Sequence, residues 1–156
     1  MSGEGRLADF KAHERLAVAD LAAEFSWRID YQAGEGVSAL FTPDGVYGYD
    51  QFEMPGTAAI DAFYRERRER GERLSRHLFS PARLARADGG GILAWSTLTL
   101  FAADGDPPYP ANVTAIMDYH DHIVCTGGQY LYARRWVTPL FGRMPQLVAA
   151  QQSGGE

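Results

Sequence analysis

Apolar residues recur at helical spacing early in the chain. Leu21, Ala22, Phe25 and Ile29 fall at i, i+1, i+4 and i+8, which is one face of a helix. The Ala-rich run around them carries the pattern from about Leu7 to Ala33, where Gly34 and Gly36 end it. Val37, Leu40 and Phe41 predict a short second helix with its apolar side inward. Thr42 to Gly45 (TPDG) reads as a turn and Val46 to Tyr49 (VYGY) as a strand. Thr57 is placed to cap a third helix burying Ile60, Phe63 and Tyr64.

After Gly71 the period shortens to that of strands. Ser75 to Ala87 is one strand, broken or bulged at Pro81, and Asp88 to Gly91 (DGGG) is a hairpin turn. Ile92 to Ala102 is a long strand, ended by the turn Asp104 to Pro108. Asn112 to Tyr119 and Gln129 to Thr138 are the last two strands, joined by a loop holding His120, Asp121 and His122. Helices first and a meander of strands afterwards is the α+β pattern. A sheet this long must curve to cover three helices, and the curve leaves a pocket between the layers. The expected fold is a cone: three N-terminal helices on a strongly curved, mostly antiparallel sheet. One domain spans residues 1–150, with a disordered tail over 151–156.

Composition narrows the function. In 156 residues, 46% hydrophobic and 22% charged, there is material for one ordinary core. The net charge of −5 argues against nucleic acid as a partner. The Arg-rich stretch Arg65 to Arg73 mixes Arg with Glu and reads as a solvated helix face. Cys125 is the only cysteine, so there is no intrachain disulfide and a reducing compartment is expected. No run approaches the ~18 apolar residues of a membrane helix, and the N-terminus lacks the order of a signal peptide. The expectation is a cytoplasmic protein with no membrane partner.

Three positions carry candidate chemistry. Asp30 lies one residue round from Ile29, at the edge of an apolar stripe, where a carboxylate is costly without a partner. His77 shares a strand face with Phe79 and is able to meet Asp30 if that face looks inward. A carboxylate on one imidazole nitrogen fixes the tautomer and frees the other nitrogen as a base; a histidine bonded to backbone is the plain alternative. Arg135 shares a face with Leu131, Ala133 and Val137, as an ion-pair partner of Asp30 or as an anion stabiliser. The opposite face carries Tyr130, Tyr132, Arg134 and Trp136, an aromatic row suited to a homo-oligomer interface, dimer or trimer. Asp118 to His122 (DYHDH) has metal-ligand residue types, but no further cluster completes a site, so no metal is expected. No phosphate loop and no nucleophile elbow appear.

The helix ending in Asp30, the passage ALFTPDGVY, the strand opening RHLFS and the stretch YARRWVTPLFG together resemble the SnoaL-like branch of the nuclear-transport-factor-like cone superfamily. Within it the chain is most similar to scytalone dehydratase and hexachlorocyclohexane dehydrochlorinase. The resemblance implies catalytic roles for Asp30 and His77, with Tyr49 at the spacing of a pocket tyrosine and Arg135 at the position of a pocket arginine. Scytalone dehydratase has a second pocket histidine on a later strand; Asn112 is the nearest polar residue there. Phe41, Phe79, Trp95 and Met117 are expected to shape the pocket.

The implied activity is a cofactor-independent lyase of dehydratase type, or an isomerase. It would act on a small hydrophobic cyclic substrate by proton abstraction at carbon. An aldol-type cyclase or an epoxide hydrolase is the enzymatic alternative. A non-catalytic ligand-binding or assembly subunit is the other.

Overall fold

The computed structural model describes residues 10–71 and 73–142. The expected helix start at residues 7–9 and the tail lie outside them. The first helix, α1, runs Ala12–Gln32 and buries Val18, Leu21, Phe25 and Ile29. Its free N-terminal amides are met by Glu14, whose carboxylate accepts the Lys11 backbone N–H at 2.9 Å. It stops where Ala33 turns left-handed and Gly34 follows at φ 83°, its N–H bonding Arg28 carbonyl at 2.7 Å. The short second helix is a 3-10 helix, Val37–Leu40, with Val37 and Leu40 buried. The second and last α-helix among the described residues, α2, is Gly56–Glu69, with Ile60 and Tyr64 buried. It begins at Gly56 after Pro55, so Thr57 falls inside the helix and does not cap it.

Among the described residues seven strands make one sheet: β1 Phe41–Tyr49, β2 Phe52–Pro55, β3 Leu74–Phe79, β4 Arg83–Arg86, β5 Ile92–Ala103, β6 Ala115–Thr126 and β7 Gln129–Gly142. Their order is β2-β1-β7-β6-β5-β3, with β4 continuing beside β5. Only β1 against β7 is parallel. Thr42 to Gly45 does not separate two elements; it is an irregularity inside β1, where the register to β7 shifts between Phe41 and Val46. The break expected at Pro81 is real and divides β3 from β4. There Ser80 bridges to β5, its N–H bonding Thr97 carbonyl and its hydroxyl accepting the Thr97 N–H, both at 2.9 Å.

α1 packs on β3 and α2 on β1, so both helices cover the concave face of the curved sheet. The Glu14 carboxylate and the Arg86 guanidinium pin the start of α1 to β4 through bonds of 2.6 and 2.8 Å. Among the described residues no helix is long and apolar enough to cross a membrane.

Candidate active site

Asp30 sits on the last turn of α1, where one helical step past buried Ile29 aims it at β3. β3 is an edge strand, so alternate N–H groups have no neighbouring strand to bond. Asp30 fills that gap. Its Oδ2 accepts the His77 backbone N–H at 2.7 Å, and its Oδ1 accepts the Ser75 hydroxyl at 2.8 Å. The same Oδ1 lies 2.6 Å from His77 Nδ1. Only 4% of the Asp30 side chain and 11% of the His77 side chain are exposed. Burial pushes the Asp30 carboxyl up, but the His77 ring and its charge, the His77 backbone N–H and the Ser75 hydroxyl outweigh it. The carboxyl is held below its ordinary range. An ionised carboxylate only accepts, so Nδ1 carries the proton, and in the neutral ring Nε2 is the nitrogen with the lone pair.

His77 stands in the wall between two hollows. On one side is a small cavity of about 40 Å³, lined together with His77 by Tyr47, Tyr49, Tyr64, Met117 and Tyr119. Tyr47 and Tyr49 share a face of β1 because they are two residues apart, and their hydroxyls meet at 2.5 Å. Burial raises all four tyrosines above their ordinary values, so they stay protonated. One hydroxyl of the Tyr47–Tyr49 pair donates to the other, and the pair also hydrogen-bonds the Tyr64 and Tyr119 hydroxyls. Arg67, from α2, and Arg73, just before β3, also line this cavity. On the other side a cleft of about 770 Å³ opens between α1 and β3–β4; it includes Asp30, Phe79 and Ser96 and is rimmed by Trp27 and Tyr31.

Tyr49 and Met117 line the cavity and Phe79 lines the cleft. Phe41 lines neither; it is buried between the Tyr47 and Tyr132 rings at 5.8 and 5.2 Å. Trp95 lies on the opposite sheet face, under Arg83 and beside His120, because Ala94 and Ser96 take the inward positions of β5. Asn112 is exposed in the connection before β6, not on a strand.

Arg135 is fully buried and pairs with Asp121 through bonds of 2.8 and 2.9 Å, not with Asp30. Burial works against its charge, but Asp121 prevails and raises its pKa above the ordinary value. Its Nη1 has no hydrogen-bond partner among the described residues; the rings of Phe25, Tyr119, Tyr132 and Phe79 surround the guanidinium at 4.1 to 5.0 Å. Arg135 lies behind the walls of both hollows.

His120, Asp121 and His122 belong to β6 and not to a loop, which is why Asp121 escaped the sequence reading. Alternation then separates the DYHDH residues. Tyr119 and Asp121 face inward, while Asp118 bonds Thr97 and His122 bonds the Gly90 carbonyl. No group of three metal-ligand residues gathers among the described residues. Tyr132 also departs from the aromatic row. A bulge in β7 pairs Arg134 with His122 and Tyr132 with Ile123, leaving Ala133 extra, so Tyr132 and Arg135 both point inward. Tyr47, Tyr119 and Ser75 were missed although each stands two residues from a recognised site residue on the same strand.

A helix-covered cone with a buried carboxylate holding a histidine beside a tyrosine-lined cavity defines the class. The chain belongs to the SnoaL-like domain family, whose pattern matches residues 11–136. Among solved structures it is similar to ActVI-ORFA from Streptomyces coelicolor, 24% identical over 80% of this chain and 95% of that one, TM-score 0.71. It is similar to the beta subunit of a putative aromatic-ring-hydroxylating dioxygenase from Novosphingobium aromaticivorans, at 18% over 86% and 94%, TM-score 0.74. A putative scytalone dehydratase from the same organism gives 20% over 83% and 85%, TM-score 0.69. No curated protein matches. At these identities the likeness to the solved structures is one of fold.

Proposed function

We propose that this chain is a cofactor-independent lyase of dehydratase type, or an isomerase, acting on a small cyclic carbonyl compound. The observation that carries the reading is the Asp30–His77 contact at the wall of the tyrosine cavity. In the proposed step His77 Nε2 takes a proton from the carbon beside the carbonyl. The C–H electrons move into the carbonyl, and the enolate oxygen is received by a tyrosine O–H. Collapse of the enolate expels a hydroxyl from the next carbon, which leaves as water with the proton returned by the imidazolium. Return of that proton to a different carbon gives the isomerase variant. Asp30 holds the tautomer and offsets the imidazolium charge.

A cavity of about 40 Å³ holds only a few waters. A ring therefore enters with movement of the side chains at its mouth, Phe63, Arg67 and Arg73. The non-catalytic reading is supported by the likeness in fold to the dioxygenase beta subunit. It predicts a stable hetero-complex and no turnover.

Deuterium exchange at the carbons beside the carbonyl of cyclic ketones, starting with 2-tetralone in D2O, separates these readings by NMR. The wild-type protein is expected to accelerate exchange and His77→Gln to abolish the acceleration while its circular dichroism stays native. A folded His77→Gln that exchanges as fast as wild type removes His77 as the base.

A further inference from the structure

The cavity beside His77 has a strong charge asymmetry. Two arginines line it, Arg67 and Arg73, and among the described residues no Asp or Glu does. Among the described residues, the carboxylates near it are Asp30, which is engaged, and Asp104, which forms a loose ion pair with Arg73. Asp30 stands behind Ser75 and His77 and is bonded to both. Asp104 is 3.8 Å from Arg73 Nε, beyond hydrogen-bond reach, and 74% of its side chain is exposed. Charge in that position is well screened by water and salt.

The arginines are correspondingly under-used. Arg73 Nε is buried with no hydrogen-bond partner among the described residues. Arg67 Nη2 reaches Ser75 Oγ only at the long distance of 3.5 Å. Buried donors are almost always paired, and an unpaired one on a cation is costly. The walls do not supply the missing acceptor in charged form, because burial keeps the tyrosines protonated. Beside the His77 imidazole, the described lining therefore has two guanidinium groups, on half-buried Arg67 and Arg73, and the hydroxyls of buried tyrosines, all able to donate.

We infer that the small molecule bound in this cavity carries a carboxylate, received at the mouth by Arg67 and Arg73. A guanidinium fork matches the two oxygens of a carboxylate. That end would anchor the molecule, leaving its carbonyl toward the tyrosines and its acidic C–H toward His77. The inference deepens the proposed function, resting on it only for which cavity is the site, and it is tested by binding rather than by turnover.

Benzoate and benzamide are the probes, equal in shape and different in charge, titrated into the folded protein by calorimetry and followed at the His77 ring protons by NMR. Benzoate is expected to bind saturably and shift the His77 signals, with benzamide about tenfold weaker or worse. Arg73→Gln and Arg67→Gln should each weaken benzoate by about tenfold and leave benzamide unchanged. Arg73→Lys should fall between, which separates lost charge from lost fold. Absence of saturable benzoate binding, equal affinity for the two probes, or a folded Arg73→Gln within about twofold of wild type overturns the inference. If benzoate binds as expected while His77→Gln still exchanges deuterium, the catalytic reading fails and the carboxylate site stands.

Discussion

Arg135 and Asp121 face each other across β7 and β6 and share two hydrogen bonds, with 1% and 5% of their side chains exposed. The guanidinium also sits among four aromatic rings, three of them, Phe79, Tyr119 and Tyr132, on the walls of the hollows that flank His77. The Arg135 guanidinium lines neither hollow, while Asp121 itself lines the cleft. Removing one partner leaves the other charged and dry. Arg135→Met is expected to cost about 3–5 kcal/mol in urea unfolding, and Arg135→Met with Asp121→Leu to recover a large part of it. A single variant within about 1 kcal/mol of wild type would show that water reaches the pair.

Asp30 links stability to pH. Its carboxyl is ionised to lower pH in the folded chain than its ordinary value of 3.8. Its contribution is complete above that value. As pH falls through it the unfolded chain takes up its proton first, and the contribution is lost progressively until the folded carboxyl is protonated too. The stability gap between wild type and Asp30→Asn should therefore narrow on acidification from roughly pH 6 to about 2. Parallel urea-derived curves over that range would disprove the linkage.

Tyr47 and Tyr49 share one hydroxyl–hydroxyl bond. Tyr49→Phe is expected to cost about 1–2 kcal/mol in thermal unfolding, and Tyr47→Phe a similar amount. The double variant should cost clearly less than the sum, since both singles delete the same bond. Additive losses would mean that the hydroxyls act independently. In the deuterium-exchange assay Tyr49→Phe should be slower by roughly 10²-fold.

Gly34 stands at φ 83°, and a Cβ there would overlap the Tyr64 ring. Backbone strain and overpacking combine, so Gly34→Ala should destabilise by about 2 kcal/mol or more. It should also weaken benzoate binding, because Tyr64 lines the cavity. Unchanged melting and unchanged binding would contradict the packing described.

What the sequence by itself determined was local. Helical spacing put Asp30 one step past a buried stripe, and strand alternation put Ser75, His77 and Phe79 on one face. Those rules act within a few residues, so they showed that Asp30 and His77 were able to meet and left the meeting conditional on the His77 face looking inward. The α+β order of elements was legible for the same reason.

The tertiary structure decided which strand face looks inward and where alternation breaks. The β7 bulge turned Tyr132 into the core beside Arg135, and β6 ran on through His120 to bring Asp121 opposite Arg135. Trp95 fell outside and Asn112 off the strand through register and strand length. A strand's own residues specify two faces but not which is buried. That is set by hydrogen-bond register with strands far away in the chain, where one extra residue reverses every side chain beyond it.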